Sequence, residues 1–188
     1  MTRFVAFGVA LVFSLATAAA RPVPDDPGIA LADDIRVTPL VAEGRVLASF
    51  SAPSAFSEDA RAVMQSGLLL TFTYTLELRR PATIWLDRTM AIATVAAQVK
   101  FDTLTRLHQV TKQTGATVVW SERTPDEAQA RTWMTTFERV PLDVTEPLEP
   151  NADYYVRVRL HATPKRTFSI WPWGHDDATG RADFTFIR

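Results

Sequence analysis

The chain has 188 residues, of which 47% are hydrophobic and 22% are charged, so it fits one globular domain and is not a wholly disordered chain. Its formal net charge is −1 and no run of Lys or Arg is longer than two, which argues against binding to nucleic acid. It contains no cysteine, which excludes disulfides, Cys-ligated zinc, iron–sulfur clusters and thiol catalysis.

The first twenty residues have the layout of a secretory signal peptide. Arg3 supplies a positive start, residues 4–15 are almost wholly apolar, and residues 18–20 are small alanines suited to cleavage. The apolar run is shorter than the roughly 20 residues of a membrane span, although an uncleaved anchor is the alternative. We expect residues 1–20 to be removed, which leaves a periplasmic or secreted protein with no membrane span.

The next segment, 21–34, holds three prolines and four aspartates and is predicted to be a flexible spacer. Residues 35–188 are predicted to form a single domain. It opens with strand-like runs at 35–41 and 45–51, separated by Ala-Glu-Gly, which is typical of a hairpin. Because proline cannot donate a ladder hydrogen bond, Pro39 places the first strand at a sheet edge.

A short helix is predicted after this hairpin, ending at Gly67. Either Ser54 or Ser57 can cap its start. Its apolar residues recur on one helical face: Phe56, Ala60, Val63 and Met64.

The strongest strand signal lies at 68–80, where apolar and mainly polar residues alternate. The apolar face consists of Leu68, Leu70, Phe72, Tyr74, Leu76 and Leu78. One face towards a core and one towards water is typical of an antiparallel sheet.

Three further strands are predicted to continue this sheet as a meander. Residues 89–101 contain enough alanine for a helix, but their alternation favours a strand. Residues 104–112 and 116–122 flank a short turn that contains Gly115.

A second helix is predicted from Thr124 to Val140. Thr124 would cap it, Pro125 would occupy the first helical position, and Glu127 would complete a capping box. Its apolar stripe is predicted to pack on a sheet, and it consists of Ala130, Trp133, Met134 and Phe137.

The stretch around Tyr154 predicts the fold. Leu148 and Pro150 precede Tyr154 at the offsets of a tyrosine corner, in which the hydroxyl bonds to upstream backbone. The following strand alternates, with Tyr154 pointing inward and Tyr155 outward, and a last strand is predicted at 181–187. We therefore expect a mainly β protein, an antiparallel immunoglobulin-like or fibronectin-like β-sandwich with two short helices in its connections.

The order of these motifs resembles the domain of unknown function 4390 family of exported bacterial proteins, over about residues 45–188. The matching residues are Ser66, Gly67, Arg79, Trp85, Asp87, Leu104, Thr105, Arg106 and Tyr154. The resemblance implies an exported β-domain without an established activity. Members encoded beside a sensor kinase imply an envelope protein partner such as that kinase.

No catalytic motif stands out, and we expect a non-enzymatic module without cofactor that binds a protein partner or acts as an envelope accessory or sensing protein. The candidate contact residues are Trp171, Trp173 and His175, because paired tryptophans in a loop are typical of contact surfaces. The alternative is that the two tryptophans plug the open end of the sandwich.

Three other hypotheses remain open. Trp171 and Trp173 could stack on sugar rings in a glycan-binding module. His175, Asp176 and Asp177 have the ligand types of a metal-dependent hydrolase. A third set, consisting of Arg79, Trp85, Asp87 and Arg106, could form a polar knot that supports the structure.

Overall fold

The computed structural model describes residues 35–82, 86–163 and 178–187. Within them the chain forms two α-helices, α1 (Glu58–Gln65) and α2 (Glu127–Thr135). The nine strands are β1 (Arg36–Ala42), β2 (Arg45–Ser51), β3 (Leu70–Arg80), β4 (Arg88–Asp102), β5 (Leu107–Thr114), β6 (Thr117–Thr124), β7 (Thr136–Leu142), β8 (Ala152–Thr163) and β9 (Thr179–Phe186). The signal peptide at 1–20 and the spacer at 21–34 lie outside the described residues and stay predictions.

All strand pairs are antiparallel, and they build two sheets with the orders β1-β2-β7 and β6-β5-β4-β3-β8-β9. The hairpin, the edge position of β1 and the meander from β3 to β6 are confirmed. The sheets share one core, which confirms a mainly β sandwich with two short helices. The immunoglobulin-like or fibronectin-like form is not confirmed, since the described strands divide six and three rather than about four and three.

Tyr74 of β3 lies at the centre of the core. Its ring centroid is 4.8 Å from that of Phe50 on β2 and 5.3 Å from that of Phe137 on β7, so it joins the two sheets. Its buried hydroxyl donates to the carbonyl of Met134 at 2.9 Å, which satisfies the polar group. Burial raises the pKa of Tyr74 well above its usual value.

The tyrosine corner is present. Tyr154 is 1% exposed, and its hydroxyl accepts a hydrogen bond from the amide of Glu149 at 2.9 Å. Its ring stacks on Phe184 of β9, with 5.9 Å between the ring centroids. The corner therefore fixes how the chain enters β8.

One detail of the predicted strands is wrong, and another residue is more buried than its face indicates. The alternation predicts Leu68 on the inner face, but it is 57% exposed, because β3 begins only at Leu70. Tyr155 lies on the outer face as predicted, yet it is only 3% exposed. The guanidinium of Arg181 covers its ring at 3.7 Å, and its hydroxyl donates to Asp87 at 2.6 Å.

The first helix ends before Gly67 as predicted and has Ser57 as its cap, but Phe56, predicted on its apolar face, precedes that cap. The second helix differs at both ends. Asp126, not Thr124, is the cap, and its carboxylate accepts from the amide of Ala128 at 2.8 Å. The helix stops at Thr135, and residues 136–142 form β7 where the sequence pattern predicts a continuing helix.

The physical reason for this early helix end is pairing with β2, which buries Phe137, Val140 and Leu142 in the core. Tertiary burial of this kind overrides a local helical pattern. Phe137 therefore lies on a strand and not on the helical stripe. None of the helices in the described ranges is long and apolar enough to cross a membrane.

The sheets also meet at Gly180 of β9. A Cβ atom built there would lie 2.2 Å from the carbonyl oxygen of Ile35 and 2.7 Å from its Cβ atom. Only a residue without a side chain permits this close approach. Gly180 thus sets the distance between β9 and the residue that precedes β1.

Candidate functional site

The contact residues predicted from the sequence, Trp171, Trp173 and His175, lie outside the described residues, as do Asp176 and Asp177. The glycan-binding and hydrolase hypotheses therefore stay predictions. In the described part of the chain, no group of three or more His, Asp or Glu residues is arranged to hold a metal ion.

A groove of about 510 Å³ lies between the two sheets. We call it the β6/β7 groove and define it by Lys112 of β5, Val119 and Trp120 of β6, Trp133 of α2, and residues 136–141 of β7. Helix α2 packs on β4, β5 and β6 and leads directly into β7, which positions both sides of the groove.

Aromatic rings form one wall of the groove. The rings of Trp120 and Trp133 meet edge to face, with centroids 4.9 Å apart and an interplanar angle of 75°. Both side chains are only partly buried, although they contact the core. Phe137 lies beside them on β7. The groove therefore offers apolar contact area that the described residues leave uncovered.

Lys112 is the charged group in this apolar setting. Its Nζ donates to the carbonyl of Thr136 at 2.8 Å and lies 4.6 Å from the ring centroid of Phe137 and 5.5 Å from that of Trp120. Desolvation lowers the pKa of Lys112, and the charge of Glu138 offsets part of this effect. Among the described residues, no carboxylate forms an ion pair with Lys112.

Both strands that border the groove are edge strands in the described sheets. Each also carries an irregularity there. Lys112 pairs with Trp120 and Gln113 with Val118, which leaves Val119 without a partner in β5.

On β7, the register with β2 shifts between Phe137 and Val140. Arg139 has a φ of 51°, in the left-handed region, and its amide donates to Ser49 Oγ at 3.0 Å. Bulges and uncommon backbone angles often occur at sheet edges and functional sites, because they redirect side chains and end strand pairing.

Apart from the groove, a cluster of charged side chains lies on the outer face of β3, β8 and β9. Glu77 of β3 binds the guanidinium groups of Arg157 and Arg159 on β8. Burial pushes the pKa of Glu77 up, but the hydrogen bonds and charges of the two arginines outweigh it, so the pKa lies below its usual value.

This region contains part of the predicted polar knot. Arg79 donates to the backbone carbonyl of Asp87 at 2.8 Å, so these two residues do meet. Arg106 does not join them. It lies in the turn after β4 with a φ of 56° and lines a pocket with Phe101 and His108. Trp85 lies outside the described residues. Because its charges pair with one another, we interpret this region as structural support.

The β6/β7 groove was not identified from the sequence, for two reasons. The sequence pattern predicts a helix where β7 lies, so it indicates no edge strand there. The available signal was Lys112, which follows Val110 on the inward face of β5 at a position where an apolar residue is the rule. A lysine at an inward position indicates either a local partner or a binding surface.

One family model matches the chain, with the description Domain of unknown function (DUF4390), over residues 32–166. No curated protein and no solved structure gives a significant match. The matched range runs from before β1 to three residues past the end of β8 and so includes both sides of the groove. It confirms the resemblance noted in the sequence: the chain belongs to the DUF4390 family.

Proposed function

We propose that the protein is an exported, non-enzymatic binding module whose β6/β7 groove takes an extended segment of a protein partner. The observation that supports this most is the position of the groove between two strand edges that pair with no other described strand, with partly buried tryptophans in its wall. Export rests on the signal-peptide pattern of residues 1–20. The absence of catalysis rests on the lack of a nucleophile or phosphate-binding motif in the sequence.

A polypeptide fits this groove better than a compact small molecule. The edge of β7 that no other described strand pairs with offers backbone donors and acceptors, which an extended peptide uses when it adds to a sheet. Alternate side chains of such a segment would point towards Trp120 and Trp133. A volume of about 510 Å³ is in the range of a few side chains.

The irregularities at the groove limit what can bind. Pro141 has no amide hydrogen, and the bulge at Arg139 interrupts the strand. These features prevent open-ended pairing with other edge strands. The groove therefore favours a short segment of a few residues, and the family resemblance suggests an envelope protein such as a sensor kinase as its source.

The test is selection of binders from a display library of random eight-residue peptides against the purified protein, followed by titration of the selected peptides. Trp120→Ala should weaken their binding about tenfold or more, because it removes an aromatic contact. Ile92→Ala is the matched control, since Ile92 is 64% exposed on the outer face of β4, and it should bind like the wild type. Failure to select any peptide, or equal loss in both variants, would reject the groove as the site.

A further inference from the structure

We infer that the segment bound in the β6/β7 groove carries a side-chain carboxylate, from Asp or Glu, that pairs with Lys112. This inference rests on the proposed function and adds the chemical class of the partner. Charge complementarity supports it, because the groove contains a partly buried ammonium group whose described neighbours supply no ion pair.

The hydrogen bonds of Lys112 leave room for a partner. An ammonium group has three donors, and one of them is used by the carbonyl of Thr136. The rings of Phe137 and Trp120 contribute attraction at 4.6 and 5.5 Å, but they accept no conventional hydrogen bond. A carboxylate from a bound segment would supply both a charge and acceptors to the two remaining donors.

The other charges that border the groove do not replace this partner. Glu138 and Arg139 are neighbours on β7, and both side chains are exposed to solvent. Glu138 raises the pKa of Lys112 by its charge, yet it forms no ion pair with it. The described groove therefore has two cationic side chains, Lys112 and Arg139, and one anionic side chain, Glu138. This excess of positive charge suits an acidic segment.

The geometry also suggests where the carboxylate lies relative to apolar contacts. In an extended segment, side chains on one face are about 6.8 Å apart, two residues along the chain. The Nζ atom of Lys112 lies 5.5 Å from the ring centroid of Trp120, which is close to this side-chain spacing. The segment therefore has an apolar residue and an acidic residue two positions apart.

The test is a double-mutant cycle between the protein and a library-selected peptide. Replacing the acidic residue of the peptide by its amide should weaken binding to the wild type about 10- to 100-fold, and should change binding to Lys112→Met by less than about threefold. Methionine retains an unbranched apolar chain, so the packing of the lysine stem is largely kept. Lys100→Met, an exposed substitution on β4, is the matched control and should respond like the wild type.

Each outcome of the cycle decides the inference. Suppose that peptides bind and that Trp120→Ala weakens their binding. The inference is then wrong, while the proposed function stands, if the acid-to-amide change does not weaken binding to the wild type, or if it weakens binding to Lys112→Met as much as to the wild type. If no peptide binds, both are wrong. If Lys112→Met does not fold, as checked by circular dichroism, Lys112→Gln takes its place in the cycle, and an acid-to-amide effect in that variant equal to the effect in the wild type would reject the inference.

Discussion

The hydroxyl of Tyr154 and the amide of Glu149 are 2.9 Å apart, and this hydrogen bond ties the start of β8 to the loop that precedes it. The Tyr154 ring lies in the shared core, next to Phe184 of β9. The bond therefore couples a loop to the strand that pairs with both β3 and β9.

Removing this hydroxyl should destabilise the protein without disturbing the ring. We expect Tyr154→Phe to lower the free energy of unfolding by about 1–2 kcal/mol, because the Glu149 amide loses its acceptor. Urea denaturation followed by tryptophan fluorescence measures this. A variant as stable as the wild type would show that the corner contributes nothing to stability.

A methyl group at Gly180 should force β1 and β9 apart. The added Cβ would lie 2.2 Å from the carbonyl oxygen of Ile35, a backbone atom that has no rotamer with which to avoid it. We expect Gly180→Ala to cost at least about 2 kcal/mol of unfolding free energy in thermal or urea denaturation. Thr179→Ala, the neighbouring change on β9, should cost about 1 kcal/mol or less. Equal effects would contradict the close approach.

The Glu77 cluster should contribute to stability in a pH-dependent way. The pKa of Glu77 in the folded state lies below its usual value of 4.5, because Arg157 and Arg159 stabilise the carboxylate. Its contribution is therefore fully present above that value and is lost as the pH falls through the lower folded-state pKa.

The corresponding measurement is urea denaturation of the wild type and Glu77→Gln at several pH values between about 7 and 3. At neutral pH the variant should be less stable by about 1–3 kcal/mol, since both arginines lose their carboxylate. On acidification the wild type should lose this advantage, and the two curves should converge. Glu122→Gln, an exposed change on β6, should follow the wild type throughout. Parallel curves for Glu77→Gln and the wild type would contradict the assignment.

The core of the fold could be predicted because its signals are local. The alternation in β3 and the offset from Pro150 to Tyr154 each depend on a few consecutive residues, and the structure confirms both. The family resemblance is likewise confirmed. The end of α2 could not be found in this way, because Phe137 lies at helical spacing from Trp133 and only pairing with β2 makes it a strand residue.

The site was harder to predict than the fold for the same reason. Lys112 and Trp120 belong to adjacent strands, but Trp133 and β7 come to them through the packing of α2 and the second sheet. No spacing of residues along the sequence predicts that these side chains come together. Tyr155 shows the same limit, since its burial depends on Arg181 in β9 and Asp87 before β4.

Hydrogen–deuterium exchange of β7 tests the central claim most directly. If an extended segment adds to the free edge in the β6/β7 groove, amides within residues 136–140 should exchange more slowly in the presence of a saturating selected peptide. The amides of β9, which ends the other side of the six-stranded sheet, should exchange as before. Slower exchange in β9 with no change in β7 would contradict the account.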